Sequence, residues 1–213
     1  VEKVLLGPDR KSRVISKKEK EIPAYHEGGH ALVAASLKGS DPVHKVSIIR
    51  RGFAGGYTMK LPTEDQRLRT RSQFLTDLAM MMGGYASEKL TFGDISTGAS
   101  NDLKEATHLA RKLVTKYGMS EALGPQTFGN TEEMVFLGRE ISTERNYSEK
   151  VAGDIDAEVR NFITRAYLAA EKILKSNKAA LKKIAQTLIE KETLEQEEFN
   201  ALIKPFKLKL VGV

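Results

Sequence analysis

The five residues His26-Glu27-Gly28-Gly29-His30 constrain this chain more than any other stretch. Four helical steps of about 100° leave two such histidines roughly 40° apart around a helix, so both imidazoles reach one ion and a carboxylate stands beside them. On a helix, H-E-x-x-H supplies two ligands of a zinc site and a base to work on its water. The segment is therefore expected to be an amphipathic helix from about Lys18 to Leu37, with Ala31, Leu32, Ala34, Ala35 and Leu37 as its apolar bulk. Gly28 and Gly29 weaken that helix by up to about 1 kcal/mol each relative to Ala. Two such residues in a short helix point to an element that packs or binds closely there.

Downstream, Gly39-Ser40-Asp41-Pro42 breaks the helix. Val43 to Arg50 reads as a strand with His44, Val46 and Ile48 on one face. Gly52 to Gly56 reads as a turn and Tyr57 to Leu61 as the return strand, which makes a β-hairpin. Arg69 to about Leu90 reads as one helix, with Gly83-Gly84 either kinking it or admitting a close neighbour. A Gly, Ser and Thr-rich loop (Phe92 to Ser100) leads to a helix from near Asn101 to Tyr117, ended by Gly118. After an irregular stretch, Ser148 caps a long helix to about Ser176, and a shorter helix runs to Glu190. Thr193-Leu194-Glu195-Gln196 has the form of a capping box for a last helix through Ile203, stopped by Pro205. The fold class is thus mainly α with one small β element near the motif.

Composition narrows the chemistry. There is no cysteine, so disulfides and thiolate ligands are excluded and a zinc ion must be held by His and carboxylate. The net charge of +6 is spread over interleaved acids and bases, and the one basic run, Arg10 to Lys20, has no aromatic residues to stack on bases. It reads as a solvated linker, and no nucleic-acid partner is expected. No apolar run approaches the roughly 18 residues of a membrane span, so the piece is expected to be soluble. Its first residue is Val1, not Met, which suggests a piece of a longer protein.

A catalytic zinc takes three protein ligands and keeps one position open. The candidates for the third are His44, Glu88, Asp102, Glu105 and His108. His44 serves the core or a substrate side equally well. His108 lies about 240° around the helix from Asp102, which makes a shared site awkward, and reads as a surface histidine. Asp102 is the better candidate, because the positive end of its helix favours the ionised form that ligates. Glu88 either ligates or accepts a hydrogen bond from a ligand imidazole and fixes its tautomer.

Tyr25-His26-Glu27-Gly28-Gly29-His30-Ala31, Asp41-Pro42-Val43-His44-Lys45-Val46 and Ser96-Thr97-Gly98-Ala99-Ser100-Asn101-Asp102 follow one another as in the FtsH family. Gly118-Met119-Ser120 with Leu123-Gly124, and Val135-Phe136-Leu137-Gly138-Arg139, continue a resemblance that covers nearly the whole chain. These are membrane-anchored, ATP-dependent AAA+ zinc metalloproteases. The resemblance implies that His26, His30 and Asp102 bind zinc, that Glu27 is the catalytic glutamate, and that Glu88 lies near the metal without binding it.

It further implies a helical zinc metalloprotease domain over residues 16–205, preceded by a linker or ATPase tail over 1–15 and followed by a C-terminal tail over 206–213. Unfolded or membrane protein substrates, a homo-hexamer, and work in protein quality control at the cytoplasmic side of a bacterial inner membrane, or an organellar equivalent, are implied as well. ATP, Mg2+ and the membrane segments would belong outside this chain. Three residues depart from the family pattern: Gly28 where Ala is usual, Arg50 where Pro is common and Tyr85 where Arg is common. The contrasting expectation is a non-catalytic helical oligomerisation module whose zinc is structural or absent. Such a site needs four protein ligands, and His44 or Glu88 would have to be the fourth.

Overall fold

A computed structural model of the protein describes residues 17–49, 56–61, 68–129 and 146–212. The linker expected over 1–15, Arg50, most of the turn expected at 52–56 and the motif at 135–139 lie outside the described residues.

The first helix, α1 (Lys17–Ser36), runs through the centre of the molecule. From Ala24 onward nearly every residue is buried, whichever way it points. The amphipathic helix expected from sequence is therefore an enclosed one, and the two glycines explain how. A Cβ on Gly28 would stand 3.2 Å from Ile184 Cγ2, on α6 (Lys178–Lys191), while a Cβ on Gly29 would stand 2.5 Å from the Gly83 carbonyl oxygen and from Ser87 Cβ. Adjacent positions thus admit two different neighbours, about 100° apart around the helix. Ser87 adds a hydrogen bond from its hydroxyl to the Tyr25 carbonyl at 2.6 Å.

The neighbour at Gly29 is α3 (Gly83–Phe92), preceded by α2 (Arg71–Met81). Sequence suggests one helix here. The chain instead ends α2 at Met82, whose backbone N–H still bonds to Leu78, and begins a new helix at Gly83, where α1 crosses. Thr70 and Gln73 form the capping box of α2, and Gly93, at φ +72°, ends α3. A 3-10 turn at Thr97–Ala99 leads into α4 (Ser100–Thr115), and Gly118, at φ +58°, follows its end. Ser148 caps α5 (Glu149–Ser176) as expected, accepting a bond from the Val151 N–H. Ile155, Phe162, Ala166, Ala170 and Ile173 of α5 are buried along one stripe.

Among the described residues the sheet has three antiparallel strands in the order β2-β1-β3: β1 (Val43–Ser47), β2 (Tyr57–Lys60) and β3 (Thr193–Glu195). The first two form the hairpin read from sequence. Val43 lies opposite Lys60 and Lys45 opposite Met59, so β1 carries a bulge at His44. That extra residue keeps Val43, Val46 and Ile48 buried and leaves His44 half-exposed, whereas simple alternation would set His44 with Val46. β3 has no counterpart in the sequence reading. Thr193 to Glu195 pair with β1, and the capping box forms two residues later, between Glu195 and Glu198 at the start of α7 (Gln196–Ile203).

The chain turns from α6 into β3 through Glu192, a non-glycine residue at φ +63°, whose carbonyl accepts the Ile48 N–H at 2.9 Å. After a short 3-10 turn at Lys204–Phe206, Val211 pairs with the end of α1: its N–H bonds to the Ser36 carbonyl and its carbonyl accepts the Lys38 N–H, both at 2.9 Å. None of the described helices is long and apolar enough to cross a membrane.

The crossing predicts unequal costs at the two glycines. Gly29→Ala forces α1 and α3 apart against backbone and is expected to lose about 3 kcal/mol. Gly28→Ala gains up to about 1 kcal/mol of helix propensity against a mild contact with one methyl group, and is expected to stay within about 1 kcal/mol of the parent. Urea denaturation of both variants measures the difference.

Candidate metal centre

His26 and His30 project from α1 toward the start of α3, their ring centroids 4.7 Å apart. A neighbouring group occupies the far nitrogen of each ring. His30 Nδ1 lies 2.8 Å from the Met80 carbonyl oxygen, which only accepts, so this nitrogen carries the proton. His26 Nδ1 lies 2.6 Å from Glu88 Oε1. Glu88 is 1 % exposed and among the largest fully buried side chains. Burial works to raise its pKa, yet the His26 ring and the Ser96 backbone N–H, 2.6 Å from Oε2, hold it below the usual carboxylate value. An ionised Glu88 accepts, and His26 Nδ1 donates.

Both rings therefore turn Nε2 inward, and the two Nε2 atoms are 3.1 Å apart. Asp102, in the first turn of α4, sets Oδ2 at 3.1 Å from His26 Nε2 and 3.4 Å from His30 Nε2. With neutral rings, this triangle holds three acceptors and no donor. Burial favours neutrality at His26, but its bonds to Asp102 and Glu88 and the Glu27 charge overcome it, pushing the group up to about 10. At Asp102 burial likewise opposes ionisation, and the bonds from His26 and His30 outweigh it, holding the carboxyl far below its ordinary value. The pocket demands positive charge at its centre.

A zinc ion fits that demand. Four tetrahedral donors at about 2.0–2.1 Å from zinc lie about 3.3 Å from one another, close to the spacing of the three atoms here. Room is provided by Gly84: a Cβ there would come within 2.6 Å of both Nε2 atoms. Among the described residues no fourth His, Cys, Asp or Glu joins the group. His44 stays on its bulge in β1, and His108 and Glu105 are exposed on α4.

Glu27 occupies the neighbouring space, on the side of α1 that faces the sheet. It is buried, and burial pushes its carboxyl above the usual range, against the opposing pull of His30, His26 and a hydroxyl. The hydroxyl is that of Thr58 on β2, 2.9 Å from Glu27 Oε2. Sequence reasoning missed Thr58, the Met80 carbonyl and the Ser96 N–H. The Gly83-Gly84 pair did signal the close approach.

Comparison with known proteins decides the family. The pattern of peptidase family M41 matches residues 13–202. The chain belongs to peptidase family M41. Among its relatives, the ATP-dependent zinc metalloprotease FtsH of Caldicellulosiruptor bescii is 53% identical over 203 residues, covering 95% of this chain and 33% of the relative. The ATP-dependent zinc metalloprotease FtsH 1 of Thermomicrobium roseum is 55% identical over 202 residues, covering 95% and 31%. That of Thermoanaerobacter sp. is 51% identical over 200 residues, covering 94% and 33%. The M41 chain thus spans about a third of the length of these curated relatives.

The triangle of acceptors separates ligand from support in a way that metal content can read. Asp102→Ala is expected to lower zinc affinity by several powers of ten. Glu88→Ala, which frees a ring without removing a donor atom, is expected to cost about 10–100-fold. Equilibrium dialysis with zinc quantified by mass spectrometry measures both, and the reverse order would remove Asp102 from the metal.

Proposed function

We propose that this chain is the proteolytic part of a longer ATP-dependent protease and hydrolyses peptide bonds at the centre formed by His26, His30 and Asp102. The observation that carries the reading is three converging acceptors with a buried carboxylate, Glu27, beside them. The names of relatives about 50% identical over nearly the whole chain support it. A zinc ion held by these three residues supplies Lewis-acid polarisation of the scissile carbonyl and acidifies the attacking water.

The remaining work belongs to the chain. Glu27 accepts the proton of the attacking water as the new C–O bond forms, then delivers it to the amine as the C–N bond breaks. A carboxyl whose pKa is raised by burial suits both halves of that transfer. Glu88 and the Met80 carbonyl keep both imidazoles in the tautomer whose Nε2 is free to ligate. β2 has one edge not taken by β1, which suits pairing with an extended peptide by its backbone. Such pairing is tolerant of sequence, as a protease of unfolded chains requires.

The relatives' length supports placing the ATP and Mg2+ sites outside residues 16–205, along with the membrane attachment. A homo-hexamer acting on unfolded or membrane proteins at the cytoplasmic face of a bacterial inner membrane, or its organellar equivalent, completes the reading. The contrasting module with a structural zinc finds no support. Glu88 spends its two oxygens on His26 Nδ1 and the Ser96 N–H, and His44 lies outside the group.

Glu27→Gln separates metal binding from chemistry. The variant is expected to keep about one zinc per chain and to lose at least 10²-fold in cleavage of a fluorogenic peptide. Cleavage at the parent rate would end the proposal.

A further inference from the structure

Glu27 is gripped from the sheet by two residues of the β2 segment, and neither belongs to the metal-binding motif. Thr58 Oγ1 lies 2.9 Å from Glu27 Oε2 and 3.1 Å from the Glu27 backbone carbonyl oxygen. Two positions earlier, Gly56 closes against the other side of the carboxylate. A Cβ there would stand 2.8 Å from Glu27 Oε1, 2.9 Å from its Cγ and 2.7 Å from the Ser47 carbonyl oxygen. The absent side chain at Gly56 lets β2 lie close enough for the Thr58 hydroxyl to reach. Val46 opposite Thr58 fixes the register of that reach.

We propose that Thr58 is the positioning residue for Glu27, holding the carboxylate in one orientation on the face of α1 turned toward the sheet. This rests on the reading of Glu27 as the proton-transfer group. A threonine hydroxyl has one proton and two lone pairs, and both of its partners here are oxygens of the same residue. While Glu27 is a carboxylate, the hydroxyl donates to Oε2. The Glu27 carbonyl oxygen, 3.1 Å away, sets the hydroxyl over its own residue, and the close approach of Gly56 bounds the carboxylate on the other side. β2 is also the strand whose edge would pair with substrate, so the same element orders the peptide and the base.

The test compares Thr58→Val, which keeps the branched shape and removes the hydroxyl, with Thr58→Ser, which keeps the hydroxyl. In zinc-loaded full chain with a short fluorogenic peptide, Thr58→Val is expected to lower kcat about 10–100-fold, with KM within about twofold and zinc content unchanged. Thr58→Ser is expected to restore kcat to within about threefold of the parent. Crystal structures give a readout independent of activity: Glu27 keeps one rotamer in the parent and Thr58→Ser, and leaves it or occupies several in Thr58→Val. Several results would each overturn the proposal: an unchanged Glu27 rotamer in Thr58→Val, a kcat equal to the parent's, a loss confined to KM, a loss of zinc, or equal losses in Val and Ser. A parent that cleaves while Glu27→Gln cleaves equally well would instead strike the reading of Glu27 itself.

Discussion

The site depends on how closely α1 and α3 cross. Gly29 lies against Gly83 with no room for a side chain on either, and Gly84, next along, leaves open the space into which the two imidazoles turn. The Met80 carbonyl, near the end of α2, and Glu88, on α3, then meet the outer nitrogens of His30 and His26. A side chain at any of these glycines would separate the helices or fill the pocket. Gly29, which weakens α1, is thus the condition for this crossing, and burial of the surrounding Leu, Ile and Phe side chains offsets its cost.

Electrostatics follows from that packing. Taking His26, His30 and the Glu88 carboxylate out of water makes unpaired acceptors expensive, so every polar atom must find a partner or a cation. Glu88 is the joint of the arrangement. One oxygen fixes the His26 ring, and the other holds the Ser96 N–H at the head of the loop that delivers Asp102. The same carboxylate thereby orients one member of the acceptor triangle and places the segment carrying another. Its burial, among the most complete of any large side chain here, is what a joint between two segments requires. Glu27 meets the opposite need. It faces the sheet rather than the triangle and is gripped by Thr58 and Gly56.

Much of this was legible in the sequence. The spacing of His26 and His30 requires a helix to have any purpose, and the stripe of α5 and its Ser148 cap follow local rules that tertiary structure had no cause to override. The place of Asp102 in the acceptor triangle was only partly legible: its position at a helix start favoured it, but the residues by themselves left Glu88 open, since both are acids after the motif and only contacts show which carboxylate oxygen converges on the two Nε2 atoms.

Other features answer to partners far away in the chain. β3 is three residues long and exists because β1, about 150 positions earlier, offers an edge. The break at Met82 falls where α1 crosses, against Gly83. Thr58 is an ordinary strand residue until β2 lies over α1. These are long-range facts, and no local periodicity encodes them.

The central claim is that His26 Nε2, His30 Nε2 and Asp102 carboxylate oxygen form an open three-ligand metal site. Anomalous diffraction at the zinc edge from zinc-loaded crystals tests it most directly. The account predicts a single strong peak about 2.0–2.2 Å from each of these atoms, with the fourth position free of protein and accessible from the side of Glu27. A peak coordinated by Glu88, a fourth protein ligand, or a peak away from the α1–α3 crossing would contradict it.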